Sequence, residues 1–290
     1  MRILNFGSLN IDYVYSVDSI VKPGETLRAK DRQVFCGGKG LNQSIALAHA
    51  EAEVYHAGII GQDGTMLLDA LRGAGVNTDL IKMVEGDSSH TVIQVDSSGQ
   101  NSILFFADDN LDVTGDFIQE VIGQFNQGEY LLLQNEVANT SLIMEKAHKQ
   151  GMKIVFNPSP IQEEVKHYPL HLVDVFLVNE IEGSMLSDLS EPDEILSALM
   201  EKYQNAHIVL TLGEQGALYG HRGERIFQPA YPAKAVDTTA AGDTFTGFFL
   251  AAYLKGSAVK DALELAAKAS AISVSRKGAA PSIPKLSEIV

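Results

Sequence analysis

The feature that most constrains this chain is an alternation. Short apolar runs rich in Val, Ile and Leu recur at Ile3–Phe6, Val54–Ile60, Tyr130–Gln134, Lys153–Asn157, Val173–Asn179 and His207–Leu212. Runs of this kind, bounded by polar or glycine positions, suit strands buried on both faces of a parallel sheet. Between them, Leu41–Ala50, Thr65–Ala74, Asp116–Phe125, Ser141–Gln150 and Asp193–Tyr203 space apolar residues three and four apart, the helical period. Gly75 and Gly151 stand where helices end in left-handed C-caps. Strands alternating with helices predict an α/β fold with a doubly wound, mostly parallel central sheet flanked by helices. The segment Ala241–Ser275 predicts two further helices with a break near Gly256-Ser257.

Two stretches break the alternation. Tyr13–Phe35 and His90–Phe106 carry alternating or β-branched runs, the turn signals Lys22-Pro23-Gly24 and Ser97-Ser98-Gly99, and little helical period. They predict antiparallel strands set apart from the main sheet, a small β lid of the kind that covers a site. With no internal repeat, low-complexity tract or linker, residues 1–290 are read as a single α/β domain carrying this inserted lid.

Composition narrows the function classes. A formal charge of -15 and a pI near 4.9 argue against nucleic-acid and membrane partners, because such a surface repels phosphate backbones and anionic headgroups. No stretch approaches the roughly 18–20 apolar residues needed to span a bilayer. The N-terminal run, interrupted by Asn5, reads as a first strand, not a signal peptide. One cysteine, Cys36, excludes an intrachain disulfide and fits a cytoplasmic protein. Any phosphate chemistry in so acidic a chain must draw its positive potential from metal ions and backbone N–H groups.

The strongest chemical signal is Asp237-Thr238-Thr239-Ala240-Ala241-Gly242-Asp243-Thr244-Phe245-Thr246-Gly247. Small residues lead into a long apolar helix whose first amides lack intrahelical partners and lie at the positive end of its dipole. Small side chains at Ala240, Ala241 and Gly242 admit an anion to those amides. Asp243, at the same spot, is either a helix-terminal cap or a base for a substrate hydroxyl. A second signal, Gly37-Gly38-Lys39-Gly40-Leu41-Asn42-Gln43, offers Lys39 and Asn42 as donors beside a helix start, and is neither a Walker A loop nor a G-x-G-x-x-G fingerprint. Its plainer reading is a glycine-rich turn with a solvated lysine. A third, Asn10-Ile11-Asp12, places two polar groups on one side of an extended segment, or forms an ordinary turn.

Asn10-x-Asp12, Pro23-Gly24-Glu25-Thr26, Gly37–Gln43 and Asp237–Gly247, in this order, resemble the ribokinase family of carbohydrate and nucleoside kinases over essentially the whole chain. The resemblance implies transfer of the γ-phosphoryl group of ATP to a hydroxymethyl group, with D-ribose the favoured acceptor. It implies Asp243 as base and the amides of Ala240, Ala241, Gly242 and Asp243 as anion hole. It assigns sugar contacts to Asn10, Asp12, Gly38, Lys39, Asn42 and Glu136. Glu136 follows an apolar run, at a strand end where open α/β sheets bind ligands.

The same resemblance assigns Asn179 and Glu182, the N-x-x-E motif, to the Mg2+ that accompanies ATP, with Glu182 acting through water. A helix cap is the alternative for this pair. Thr211, Gly213 and Gly216 resemble a nucleotide-binding turn. Oxygens of Asp237, Thr239, Ser273, Arg276, Gly278 and Ser282 resemble a K+ site, Arg276 through its carbonyl alone. One departure stands out: Ala267 occupies the position where ribokinases commonly set an Asn or His against the adenine. The resemblance also implies a homodimer formed through the β lid.

Other classes fit poorly. The eight histidines are scattered without an H-E-x-x-H motif, and no G-x-S-x-G elbow is present. A nucleoside, fructose or another pentose remains an alternative acceptor. A non-catalytic sugar-binding relative remains the alternative class.

Overall fold

The computed structural model describes residues 1–107 and 111–289. Nine strands form the main sheet in the order β13-β12-β11-β10-β9-β8-β1-β4-β5. They are β1 (Arg2–Phe6), β4 (Glu53–Ile60), β5 (Asn77–Met83), β8 (Tyr130–Gln134), β9 (Lys153–Asn157), β10 (Val175–Asn179), β11 (His207–Thr211), β12 (Gly216–His221) and β13 (Glu224–Pro229). From β5 to β11 every pair is parallel, whereas β12 and β13 are antiparallel additions. The predicted runs all become strands of this sheet. β5, β12 and β13 were not among them, because their half-exposed sequences lack a continuous apolar run.

Alternation along each strand builds two cores. Ile3, Leu132, Val155, Val175, Leu177 and Val209 face α1 (Lys39–His49), α2 (Thr65–Ala74), α7 (Ala241–Leu254) and α8 (Val259–Val274). Their sequence neighbours Leu4, Leu131, Leu133, Phe176, Val178 and Ile208 face α3 (Gly115–Ile122), α4 (Thr140–Gln150), α5 (Glu180–Ser187) and α6 (Pro192–Lys202). A strand buried on both faces must be apolar at consecutive positions, which is why these runs are legible without a period of two. Each fully buried Leu, Ile or Phe contributes roughly 1.5–3 kcal/mol. Gly75 and Gly151 end α2 and α4 in the left-handed region, at φ 93° and 80°. No helix among the described residues is long and apolar enough to cross a membrane.

The lid is a separate four-stranded sheet, ordered β3-β2-β6-β7. Its strands are β2 (Asn10–Ser16), β3 (Asp31–Gly37), β6 (His90–Val95) and β7 (Asn101–Phe106). Two expectations are corrected here. The first two strands reach Asn10 and Gly37, beyond the predicted limits of Tyr13 and Phe35, so the Asn10-x-Asp12 pair lies on the lid itself. And β2 pairs with β6 in parallel; only β2–β3 and β6–β7 are antiparallel. The turn signals hold, with Gly24 and Gly99 at φ 81° and 83°.

Beside β1 the chain changes direction: β4 and β5 lie on one side, β8 to β13 on the other. Such a switch point opens a crevice at the carboxyl ends of the strands. Below it, in the core, the fully buried His56 on β4 holds Ser44 and the Gly7 carbonyl. A carbonyl only accepts, so Nε2 carries the ring proton and Nδ1 accepts from Ser44 Oγ. Burial pushes the ring down to about 4.

His56 therefore stays neutral in the folded protein but protonates near 6.5 when unfolded. Its contribution to stability declines as pH falls from 6.5 toward 4, by about 2 kcal/mol at pH 5. Burial of Glu136 and Glu182, which raises both carboxyls, acts in the opposite sense, so the ring itself is the group to watch. Imidazole 15N spectra at pH 5 should show a neutral ring protonated on Nε2. A doubly protonated His56 at pH 6 would refute its assignment.

Candidate active site

Two adjoining clefts, of about 540 and 550 Å3, open at the carboxyl ends of the strands. They share Thr211, Thr238 and Gly242, so they meet at the first turn of α7. Asn10, Asp12, Gly38, Lys39, Asn42, Glu136, Asn179, Glu182, Thr239, Ala240 and Asp243 line the first cleft with those shared residues. Gly213, Gly216, Ala241 and Ala267 line the second.

The turn before α7 leaves backbone amides exposed at the helix start. Ala240 sits in the left-handed region at φ 61° and ends the loop. Among the described residues, the amides of Ala240, Gly242 and Asp243 have no acceptor, whereas that of Ala241 donates to the Thr238 carbonyl at 3.2 Å. This narrows the expected four-amide hole to three. A Cβ on Gly242 would meet nothing within 4 Å, so this position faces open space.

Asp243 is almost fully buried, and both of its oxygens are held by α1. Asn42 Nδ2 donates to Oδ2 at 3.1 Å, and Gln43 Nε2 donates to Oδ1 at 2.8 Å. One turn deeper the two helix backbones nearly touch: a Cβ on Gly247 would lie 2.8 Å from backbone atoms of Ala46 and Leu47, and closer still to Ala46 Cβ.

The charges around the first cleft are mostly negative. Burial raises the carboxyl of Asp12, against a 2.6 Å hydrogen bond from Thr91 on the neighbouring lid strand. Burial likewise raises Glu136, which accepts from Ser8 Oγ and from the Lys39 amide at 2.9 Å. Burial works to lower the Lys39 ammonium, but Asp243, Glu136 and Glu182 together outweigh it and hold it above the ordinary lysine value. Lys39 thus remains a cation beside Asp243, Glu136 and Glu182.

Asn179 and Glu182 form a reciprocal cap on α5. Glu182 N–H donates to Asn179 Oδ1, and Asn179 N–H and Nδ2 donate to the two Glu182 oxygens, each at 2.9 Å. The capping alternative is realised, on the wall of the cleft.

Asp237, Ser273, Arg276, Gly278 and Ser282 gather beside the α7 start, outside both clefts. Asp237 accepts from Thr239 and from the Gly278 amide, and the Ser273 and Ser282 hydroxyls meet at 2.8 Å. The Arg276 guanidinium pairs with Glu288, leaving only its carbonyl for any ligand. Among the described residues, no cluster of three or more His, Cys, Asp or Glu forms a metal cage.

A family model described as the pfkB family carbohydrate kinase matches residues 2–286. The chain belongs to that family. It is a carbohydrate kinase, and its likeness to ribokinases holds over the whole length. It is 34% identical to a ribokinase of Haemophilus influenzae, covering 97% of this chain and 95% of the relative. Among solved structures, a ribokinase of Cryptococcus neoformans in complex with ADP is similar at a TM-score of 0.87 and 32% identity, covering 99% and 98%. An Arabidopsis thaliana ribokinase complexed with ribose and ATP is similar at 0.84 and 28%, covering 99% and 97%.

The kinase's cleft also contains residues that sequence reasoning missed. Thr91, Ile93 and Ile103 reach it from the lid, and Asn157 and Ser159 from the end of β9. Asn157 ends an apolar run, the same strand-end position that supported the Glu136 assigned by resemblance, and was open to that argument. Thr91 gave no signal, because it meets Asp12 only through the β2–β6 register. In this carbohydrate kinase, Gly247→Ala should separate α1 from α7, lowering stability by about 1–3 kcal/mol and reducing turnover with it. Urea unfolding and a steady-state assay check this; wild-type stability and turnover would refute the contact.

Proposed function

We propose that this carbohydrate kinase transfers the γ-phosphoryl group of ATP to the 5-hydroxymethyl group of D-ribose, forming D-ribose 5-phosphate. The observation that carries the reading is the meeting of the two clefts at the α7 N-terminus, with Asp243 on the polar side and the three unpaired amides at the junction. The first cleft suits a polyol: Asn10, Asp12, Lys39, Asn42 and Glu136 provide donors and acceptors at short range. The second, walled by Ala267, Ala271, Val274 and Tyr231, suits a flat base beside Gly213 and Gly216. The complexes of related ribokinases with ADP and with ribose and ATP support the same pairing of ligands.

In this reading the sugar hydroxyl lies against Asp243, which accepts its proton as the oxygen attacks phosphorus in line. The amides of Ala240, Gly242 and Asp243 receive the charge that spreads over the transferred oxygens. Lys39 offsets part of the surrounding negative charge. The donor set fits Mg2+ held chiefly by phosphates: both Glu182 oxygens are engaged, so Glu182 would act through water. Asp237, Thr239, Ser273, Ser282 and the carbonyls of Arg276 and Gly278 would hold K+, which would supply positive charge behind the amides.

We propose also that the lid pairs with a second copy. Its edge strand β7 leaves Ile103, Leu104, Phe105 and Phe106 between 46% and 69% exposed, and an open apolar edge invites a partner. The half-buried Cys36, with no disulfide partner in the chain, fits the reducing cytoplasm expected from composition.

A coupled ATPase assay with D-ribose, with and without K+, is the first test. Ribose-dependent turnover should rise with K+ and fall roughly 10²–10⁴-fold in Asp243→Asn. Turnover with a nucleoside, fructose or another sugar but not ribose would overturn the acceptor alone. Gly242→Ala should lose about 10²-fold in kcat or more with an unchanged melting temperature, since its methyl meets only open space. Sedimentation at micromolar concentration should give a dimer, and Leu104→Asp a monomer; a monomeric wild type would refute the lid interface.

A further inference from the structure

Gln43 stands in the glycine-rich motif but faces the carboxylate, and no sugar or nucleotide contact has been assigned to it. We infer that Gln43 is the positioning residue of Asp243, and that a buried chain of amides and hydroxyls running back to His56 fixes which end of Gln43 faces the carboxylate. This rests on the kinase reading above.

Every link can be assigned. Gly7 O accepts from His56 Nε2 at 3.2 Å, so His56 Nδ1 accepts from Ser44 Oγ at 2.8 Å. Ser44 Oγ in turn accepts from Asn5 Nδ2 at 2.8 Å, and the same Nδ2 donates to Gly40 O at 2.7 Å. Asn5 Oδ1 accepts from Gln134 Nε2 at 3.0 Å, and that nitrogen also donates to Gln43 Oε1 at 2.6 Å. Gln43 Nε2 is thereby left to donate to Asp243 Oδ1 at 2.8 Å and to Asn157 Oδ1 at 2.9 Å.

Both ends of the chain are acceptors only: backbone carbonyls at one, a carboxylate at the other. With Gln134 Nε2 committed to Asn5 and Gln43, the Gln43 amide cannot turn over without setting its oxygen against the carboxylate. Asn5, Gln43, Ser44, His56 and Gln134 are all 0% exposed, so water cannot substitute for a lost link. Among the described residues, Gln134 Oε1 has no partner; it lies against Gly7, where a Cβ would approach to 2.6 Å.

The charged groups facing Asp243 are Lys39 at the start of α1, Glu136 after β8 and Glu182 on α5. None of them hydrogen-bonds to it in the described residues, so its aim depends on Asn42 and Gln43. A misplacement on the order of 1 Å in a reacting group can cost about 10²-fold in rate.

The test compares Gln43→Met, which removes all three links, with Gln43→Glu, which keeps the acceptor for Gln134 and puts a carboxylate oxygen in place of the donor to Asp243 and Asn157. Both should lower kcat about 10- to 100-fold while the KM for sugar and for ATP changes less than about threefold. Both should move the acid limb of kcat/KM upward, because a carboxylate that loses a donor is protonated more easily. Gln134→Met should show a weaker loss of the same kind, and Gln43→Met/Gln134→Met should be no worse than Gln43→Met alone. Folding is checked by the melting temperature, and Gln43→Glu serves if Gln43→Met does not fold. Wild-type kcat and an unmoved acid limb in a folded Gln43 variant would overturn the positioning role. Additive losses in the double variant would overturn the chain. Undiminished turnover in Asp243→Asn would instead overturn the kinase mechanism, so the failures are distinguishable.

Discussion

The site depends on the close approach of α1 and α7 at Gly247 and Ala46. Gly247 lies one helical turn beyond Asp243, and Ala46–Leu47 one turn beyond Asn42–Gln43, so the contact behind the site sets the contact within it. The distance between packed helices is set by the residues at the crossing. A side chain at position 247 would meet Ala46 and Leu47 and push α1 and α7 apart, lengthening the Asn42–Asp243 and Gln43–Asp243 contacts. The absence of a side chain at Gly247 thus acts through geometry, placing two helix N-termini and their donors around one carboxylate.

That arrangement also answers the electrostatic problem of a chain with a charge of -15. The first cleft gathers Asp12, Glu136, Glu182 and Asp243 around Lys39. Burial raises three of these carboxyls, and each is retained by specific donors: Thr91 to Asp12, Ser8 and the Lys39 amide to Glu136, and Asn179 to Glu182. In the proposed mechanism, positive potential for a phosphoryl group would then come from oriented amides rather than from basic side chains, at a point where the loop turns through the left-handed Ala240.

The lid couples to this centre through two side chains on one strand. Asn10 and Asp12 belong to β2, whose parallel pairing with β6 brings Thr91 opposite Asp12. On the other side, a Cβ at Gly37 would overlap the Asp12 carboxylate, so a larger residue on β3 there would displace that side chain. The acidic side chain is thereby fixed by both neighbouring strands, and movement of the lid would carry it toward or away from the cleft.

The sequence by itself pointed to the two-sided burial of the main sheet, because short consecutive apolar runs such as Leu131–Leu133 and Val175–Val178, bounded by polar positions, fit strands buried on both faces. It also determined the helix ends at Gly75 and Gly151 and the small-residue entry to α7, since backbone conformation and helix-end amides are local properties. Six of the polar residues assigned from motifs or from the family resemblance, Asn10, Asp12, Lys39, Asn42, Glu136 and Asp243, line one cleft. Tertiary structure alone decided the rest. It decided that the lid is a mixed sheet, that the Ala241 amide is already engaged, and that Asn5, Gln134 and His56 serve one carboxylate from positions up to 238 residues from it in the chain (243 − 5). A hydrogen bond between buried side chains depends on distance and direction in space, and no spacing along the chain encodes that until the sheet brings β1, β4 and β8 side by side.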